Sequence, residues 1–203
     1  MKKIILINGS AHENGNTFIA LNEIRKELES RGIEARILWI GNGPTQDCLA
    51  CGRCRETGRC AVDGDCVNTI IEDLDNIDGI VVGSPVYYSG ASGRLCSILD
   101  RLFYSSGNKW SGKIGAAVVC CRRGGASAAF NRLNYYFLKN NMVVPGSQYW
   151  NIVYGAAPGE AAEDGEGMQT MRTLAANMAR LLNNMKDVPL PEYEKGVITN
   201  FIR

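Results

Sequence analysis

Histidine is almost missing: His12 is the only one in 203 residues. No nucleophile–histidine pair is legible around it, and no catalytic side chain of that kind is expected. An excess of one charge is missing too. The 22 Lys and Arg against 21 Asp and Glu leave a formal net charge of +1. That gives no footprint for nucleic acid or an anionic membrane. No apolar run approaches the ~18 residues of a membrane span. Met1-Lys2-Lys3 leads into Ile4-Ile5-Leu6-Ile7, which is too short for a signal h-region and has no small-residue cleavage site. The expectation is a cytoplasmic protein with neither nucleic-acid nor membrane partners. Internal repeats and low-complexity tracts are also lacking. The length reads as one domain, 1–203.

Cysteine, by contrast, is plentiful, with eight residues. In a reducing compartment these read as thiols, metal ligands or redox groups rather than disulfides. Four of them, Cys48, Cys51, Cys54 and Cys60, follow the spacing C-x2-C-x2-C-x5-C. Bacterial ferredoxins hold iron–sulfur clusters with a similar C-x2-C-x2-C core. Zinc more often takes two C-x2-C units across a long spacer. A cluster, zinc and unliganded thiols all remain open on spacing alone. The run lies in a stretch of about 27 residues, 41–67, without periodic content, and loops this long are usually functional or disordered.

Elsewhere, apolar runs alternate with helical periods. Strands are expected at 3–8, 34–40, 79–83 and 113–121, with a fifth region formed by 142–144 and 152–154. Helices are expected at 17–31, 69–76, 92–103, 126–140 and 166–184. Strand–helix alternation implies a parallel sheet covered on both faces, and strands apolar throughout agree with burial on both sides. The fold class is α/β, a doubly wound five-stranded parallel sheet with ligands at the carboxyl ends of its strands. The first such end reads Asn8-Gly9-Ser10-Ala11-His12-Glu13-Asn14-Gly15-Asn16-Thr17 and runs into a helix. Backbone N–H groups and the helix dipole converge there on phosphate. The lysine of the NTP-binding loop is missing, as is the G-x-G-x-x-G dinucleotide spacing. A single terminal phosphate, as on a mononucleotide, fits better, with Ser10, Asn16 and Thr17 adding side-chain donors. An ordinary capped strand–helix turn is the competing account.

The loop at 8–17, the cysteine run, Gly83-Ser84-Pro85-Val86-Tyr87-Tyr88, Asp100-Arg101, Arg122-Arg123-Gly124-Gly125, and Asp164 with Gly167 occur in an order that resembles one group. It is the NADPH-dependent FMN reductase and iron–sulfur flavoprotein branch of the flavodoxin-like superfamily. The resemblance covers most of the chain and implies FMN as cofactor, with NAD(P)H as co-substrate. It assigns Ser10, Gly15, Asn16 and Thr17 to the FMN phosphate, with His12 beside them. Pro85, Val86, Tyr87 and Tyr88 would lie along the isoalloxazine ring. The loop of Arg122, Gly124 and Gly125 would flank the flavin, where Arg122 or Arg123 meets a nicotinamide cofactor's phosphate. Cys48, Cys51, Cys54 and Cys60 would ligate a [4Fe–4S] cluster. The residues after Cys60 depart from the usual paired-acid run by Gly64 and a further Cys66.

The function expected is an FMN-binding, NAD(P)H-dependent oxidoreductase of the flavin or quinone reductase type. The alternative is a one-electron carrier between ferredoxin-like donors and acceptors, and a zinc-binding protein with an empty fold is a third reading. Partners are a small-molecule electron acceptor or a redox protein. The resemblance also implies a homodimer or homotetramer. The tail Asp187–Arg203, with its closing Val197-Ile198 and Phe201-Ile202, is expected to pack across a neighbour or over its own subunit.

Overall fold

The computed structural model describes residues 1–185 and 189–194. Five parallel strands form the sheet: β1 (Lys3–Asn8), β2 (Glu34–Trp39), β3 (Gly79–Tyr87), β5 (Ile114–Cys121) and β6 (Ile152–Tyr154), in the order β2-β1-β3-β5-β6. A two-residue strand, β4 (Gly90–Ala91), pairs antiparallel with the end of β3. The β1 backbone register sets Asn8 beside Gly83, and β3 sets Pro85 beside Cys120.

Side chains on a strand alternate between faces, so each central strand feeds two cores. Ile5, Ile7, Ile80, Val82, Ala117 and Val119 point to one face. There they meet α3 (Cys66–Asp73), α4 (Gly93–Ser105) and α5 (Ala126–Lys139). Ile4, Leu6, Val81, Ala116 and Val118 point to the other, under α1 (Asn16–Ser30) and α6 (Gly165–Asn184). All eight residues of β5 are buried, which is why this strand shows no polar alternation in the sequence. Helix α1 packs on Thr17, Ala20, Leu21, Ile24 and Leu28, the one-face spacing of a 3.6-residue period. Its outer face carries the i,i+4 ion pairs Arg25–Glu29 and Arg31–Glu27. Helix α6 is anchored at its start by Asp164, whose carboxylate accepts from the Gly167 N–H at 2.9 Å and the Tyr154 N–H at 2.7 Å.

Several boundaries move. β3 runs on to Tyr87, past Pro85, because its end pairs with β4 rather than stopping at Gly83. Helix α3 begins at Cys66 rather than at 69, capped by Asp65, which accepts from the Val67 N–H. The 41–67 segment holds one short helix, α2 (Cys54–Thr57). Residues 142–144 contribute only an isolated bridge, Val143 to Ile114, so β6 alone is the fifth strand. The closing apolar pairs of the tail lie outside the described residues. Leu190 within that tail sits against Gly112 of its own chain. Among the described residues no helix is long and apolar enough to cross a membrane.

Candidate active site: a cleft at the carboxyl edge and a cysteine pocket

The loops after β1, β3, β5 and β6 meet at the carboxyl edge of the sheet. Asn8 shapes the first. It is fully buried, its amide donates to the Glu13 carbonyl at 2.8 Å, and its carbonyl oxygen accepts from the Ser10 N–H at 3.1 Å. Ser10 in turn accepts from the His12 N–H at 3.1 Å. Gly9 has no room for a side chain: a Cβ there would stand 2.6 Å from Leu95 and 2.8 Å from the Gly83 carbonyl. The loop is thus pressed onto β3 and turned into α1.

The first backbone bond of α1 is Ile19 N–H to Gly15 C=O. The N–H groups of Asn16, Thr17 and Phe18 therefore have no partner inside the helix. No side chain caps this end and no acid stands in its first turn. It opens into a cleft of about 280 Å³. Ser10, His12, Gly15, Asn16 and Thr17 form one wall, Pro85, Val86 and Tyr87 another, and Arg122 the rim. Nine of the twelve residues expected to hold the cofactor thus line one cleft.

The other three differ. Tyr88 is fully exposed at the tip of the β3–β4 hairpin. Gly125 supports that hairpin from behind: its φ is +84°, and a Cβ there would meet Ser89 at 2.8 Å and Val86 at 3.2 Å. Gly124 stands free in the same loop. Asn16 lines the cleft, but its amide is engaged elsewhere. It donates to the Ala157 carbonyl at 3.0 Å and accepts from the N–H groups of Gly159 and Ala161, both at 3.2 Å. It clamps the loop after β6 with its carbonyl oxygen and one of its two amide N–H groups.

Cys120, Cys121, Gly155 and Ala156 also line the cleft. The two thiols are buried, and Cys120 donates to the Asn16 carbonyl at 3.6 Å. Burial pushes its pKa from 9.0 up to about 12, so it is a neutral packing group. Gly155 and Ala156 carry no chemical signature in the sequence. Only their place after a strand, in a run of small residues, marks them. Asn8 was legible as a polar residue closing an apolar strand.

The cysteine run forms a second site. Cys48, Cys51, Cys54 and Cys60 all border one apolar cavity of about 20 Å³, with Arg101 at its wall. Among the described residues, no three His, Cys, Asp or Glu side chains are drawn together at ligating spacing. The segment is held by polar ties instead. Asn68 accepts from the Cys60 N–H at 2.9 Å and donates to its carbonyl at 3.1 Å. Arg94 donates to the carbonyls of Gly41 and Asn42 at 2.7 and 2.6 Å. The Arg101 side chain has no exposed surface and is paired with Asp65. Its Nε and Nη1 are buried without an acceptor, and it faces the Cys60 thiol. Burial alone pulls its pKa down, but Asp65 and Cys60 more than reverse this and leave it raised.

The sequence profile of the NADPH-dependent FMN reductase family matches residues 2–157. The chain belongs to that family. This FMN reductase family member is 30% identical over 194 residues to an iron–sulfur flavoprotein of Methanocaldococcus jannaschii, covering 91% of this chain and 99% of that one. An archaeal flavodoxin shares its fold at TM-score 0.59 and 17% identity, over 90% of this chain and 99% of that one. RosB, solved with 8-demethyl-8-formylriboflavin-5'-phosphate, does so at TM-score 0.73 and 15% identity, over 100% of this chain and 93% of that one. The reductase family member is thus a flavoprotein on a flavodoxin-like scaffold.

Proposed function

We propose that the protein is an FMN-binding, NAD(P)H-dependent oxidoreductase whose flavin occupies the carboxyl-edge cleft. The observation that carries this reading is the uncapped start of α1 opening into that cleft. Bound there, FMN supplies the hydride and single-electron chemistry that no side chain of this chain provides. The chain's own part is to bind and orient. The N–H groups at the start of α1 and the Ser10 hydroxyl receive the phosphate. The Pro85–Tyr87 edge gives backbone polar groups and an aromatic face to a flat ring. Arg122, exposed at the rim, offers a fixed positive charge to an anionic ring edge or to the phosphate of an incoming nicotinamide cofactor.

Cys48, Cys51, Cys54 and Cys60 are proposed as the ligands of a [4Fe–4S] cluster. Three features support this: all four border one cavity, a buried cation with free N–H groups lies beside them, and the Methanocaldococcus relative is named an iron–sulfur flavoprotein. That makes a one-electron carrier the second reading. In both readings the protein works in the cytoplasm, with a small-molecule acceptor or a redox protein. A second copy is proposed to cover the exposed Leu138, Tyr149 and Trp150 in a homodimer or homotetramer.

The test is anaerobic purification with FMN and iron, followed by mixing with NADH or NADPH. Rapid loss of flavin absorbance supports the oxidoreductase. A flavin that nicotinamide leaves oxidised, but a reduced ferredoxin bleaches, favours the carrier. A protein that takes up no FMN sinks both.

A further inference from the structure

We propose that Arg101 is the fixed counter-charge of the cysteine site, held in place beside it by Asp65 so that the site favours its more negative redox state. This rests on the reading that Cys48, Cys51, Cys54 and Cys60 bind an iron–sulfur cluster.

A guanidinium with no exposed side-chain surface is an unusual element of an α/β core. Its desolvation is costly unless every donor finds an acceptor. Asp65 satisfies Nη2, while Nε and Nη1 meet no oxygen or nitrogen acceptor, and the guanidinium faces the Cys60 sulfur. A structural ion pair has no need of two orphaned donors. They belong to an interaction whose acceptor is not a protein oxygen. The wall that Arg101 shares with Cys48, Cys51, Cys54 and Cys60 identifies that acceptor as sulfur. Four thiolates around iron carry net negative charge, and hydrogen bonds to the sulfurs and nearby charge set the potential of such a centre.

The surroundings fix Arg101 in this role. It stands on α4 between Leu99 and Leu102, and all three are buried. Asp65 is tied twice: one oxygen caps α3 through the Val67 N–H at 3.0 Å, and the other meets Arg101. The last cysteine of the run, Cys60, is held by Asn68 from the same helix. One short helix therefore anchors both the cation and a ligand. Arg101 is a positioning residue; it touches no reacting atom of the flavin cleft.

The experiment compares wild type, Arg101→Met, Arg101→Lys and Asp65→Asn after anaerobic reconstitution with FMN, iron and sulfide. Iron and FMN content, the rate of iron loss to a chelator, and the cluster's midpoint potential in a dye-mediated titration are measured. Arg101→Met is expected to keep its FMN, lose iron about tenfold faster and shift to a lower potential. Arg101→Lys is expected to fall between it and wild type. Asp65→Asn removes a negative charge and is expected to shift the potential upward, an effect readable even if Arg101→Met does not fold. Wild-type potential and iron retention in Arg101→Met, or in Asp65→Asn, overturn the role of Arg101 and leave the cluster reading standing. A wild-type protein that binds FMN but no iron overturns the cluster reading beneath it.

Discussion

At the scale of single residues, environment rather than identity separates the eight cysteines. Cys48 and Cys51 are exposed, whereas burial pushes Cys66 to about 11 and Cys120 to about 12. In cluster-free protein at pH 8, iodoacetamide is expected to label Cys48 and Cys51 within minutes and to leave Cys66 and Cys120 intact, as peptide mass mapping would show. The same shift sets a stability window. A thiol whose folded pKa lies above its unfolded value of 9.0 contributes nothing adverse below pH 9. Above it the unfolded chain releases the proton first, so stability falls as pH rises toward about 12. The sequence placed the Ser10–Thr17 loop between a strand and a helix, and there it lines the cleft. It did not show that the Asn16 amide is also engaged by Ala157, Gly159 and Ala161. Those partners lie about 140 residues away, and no local pattern carries that information.

At the scale of elements, the loop after β6 is closed by Glu160, which accepts from the N–H groups of Ala156 at 2.6 Å and Ala157 at 2.8 Å. These bonds hold its carboxyl below the ordinary 4.5. A depressed pKa means that its contribution is present above pH 4.5 and is lost as pH falls through the lower folded value. Because Ala156 lines the cleft, FMN affinity is expected to weaken on acidification from 5 to 3. Glu160→Gln should show part of that weakening already at neutral pH, measured by flavin fluorescence titration. The β3–β4 hairpin offers the opposite case. Its two tip residues, Tyr88 and Ser89, hold φ of +48° and +63°, the conformation that Asn-Gly adopts without strain. Tyr88→Asn with Ser89→Gly is expected to raise stability by about 1–2 kcal/mol. If the strained tip is kept for cofactor contact, FMN affinity should fall as urea resistance rises. The sequence marked Pro85 as a strand end, but it could not show that the strand continues into a hairpin. That depends on Val86 finding Ala91 and Tyr87 finding Gly90.

For the whole molecule, the two sites are built on different physics, and this makes them separable. The carboxyl-edge cleft grows out of the sheet itself, whose two cores are formed by the helices on either face. The strand–helix alternation showed this architecture directly, since both cores are written as apolar periods. The cysteine segment has no such period because no residue from Gly41 to Asp65 is fully buried and Cys66 is only partly so. It is tied down by Asn68, Arg94 and the Arg101–Asp65 pair, none of which a hydrophobic pattern reveals. Substitutions on a segment outside the core usually move stability by no more than about 0.5 kcal/mol, or about 2 °C in Tm for a chain of this size. Cys48→Ser with Cys51→Ser is therefore expected to hold no iron yet to bind FMN as the wild type does. It should melt within that margin of cluster-free wild type in a calorimeter. Loss of flavin from this variant would mean that the metal site orders the cleft. The protein would then be one cooperative redox unit rather than a flavodoxin-like reductase carrying a second, detachable centre.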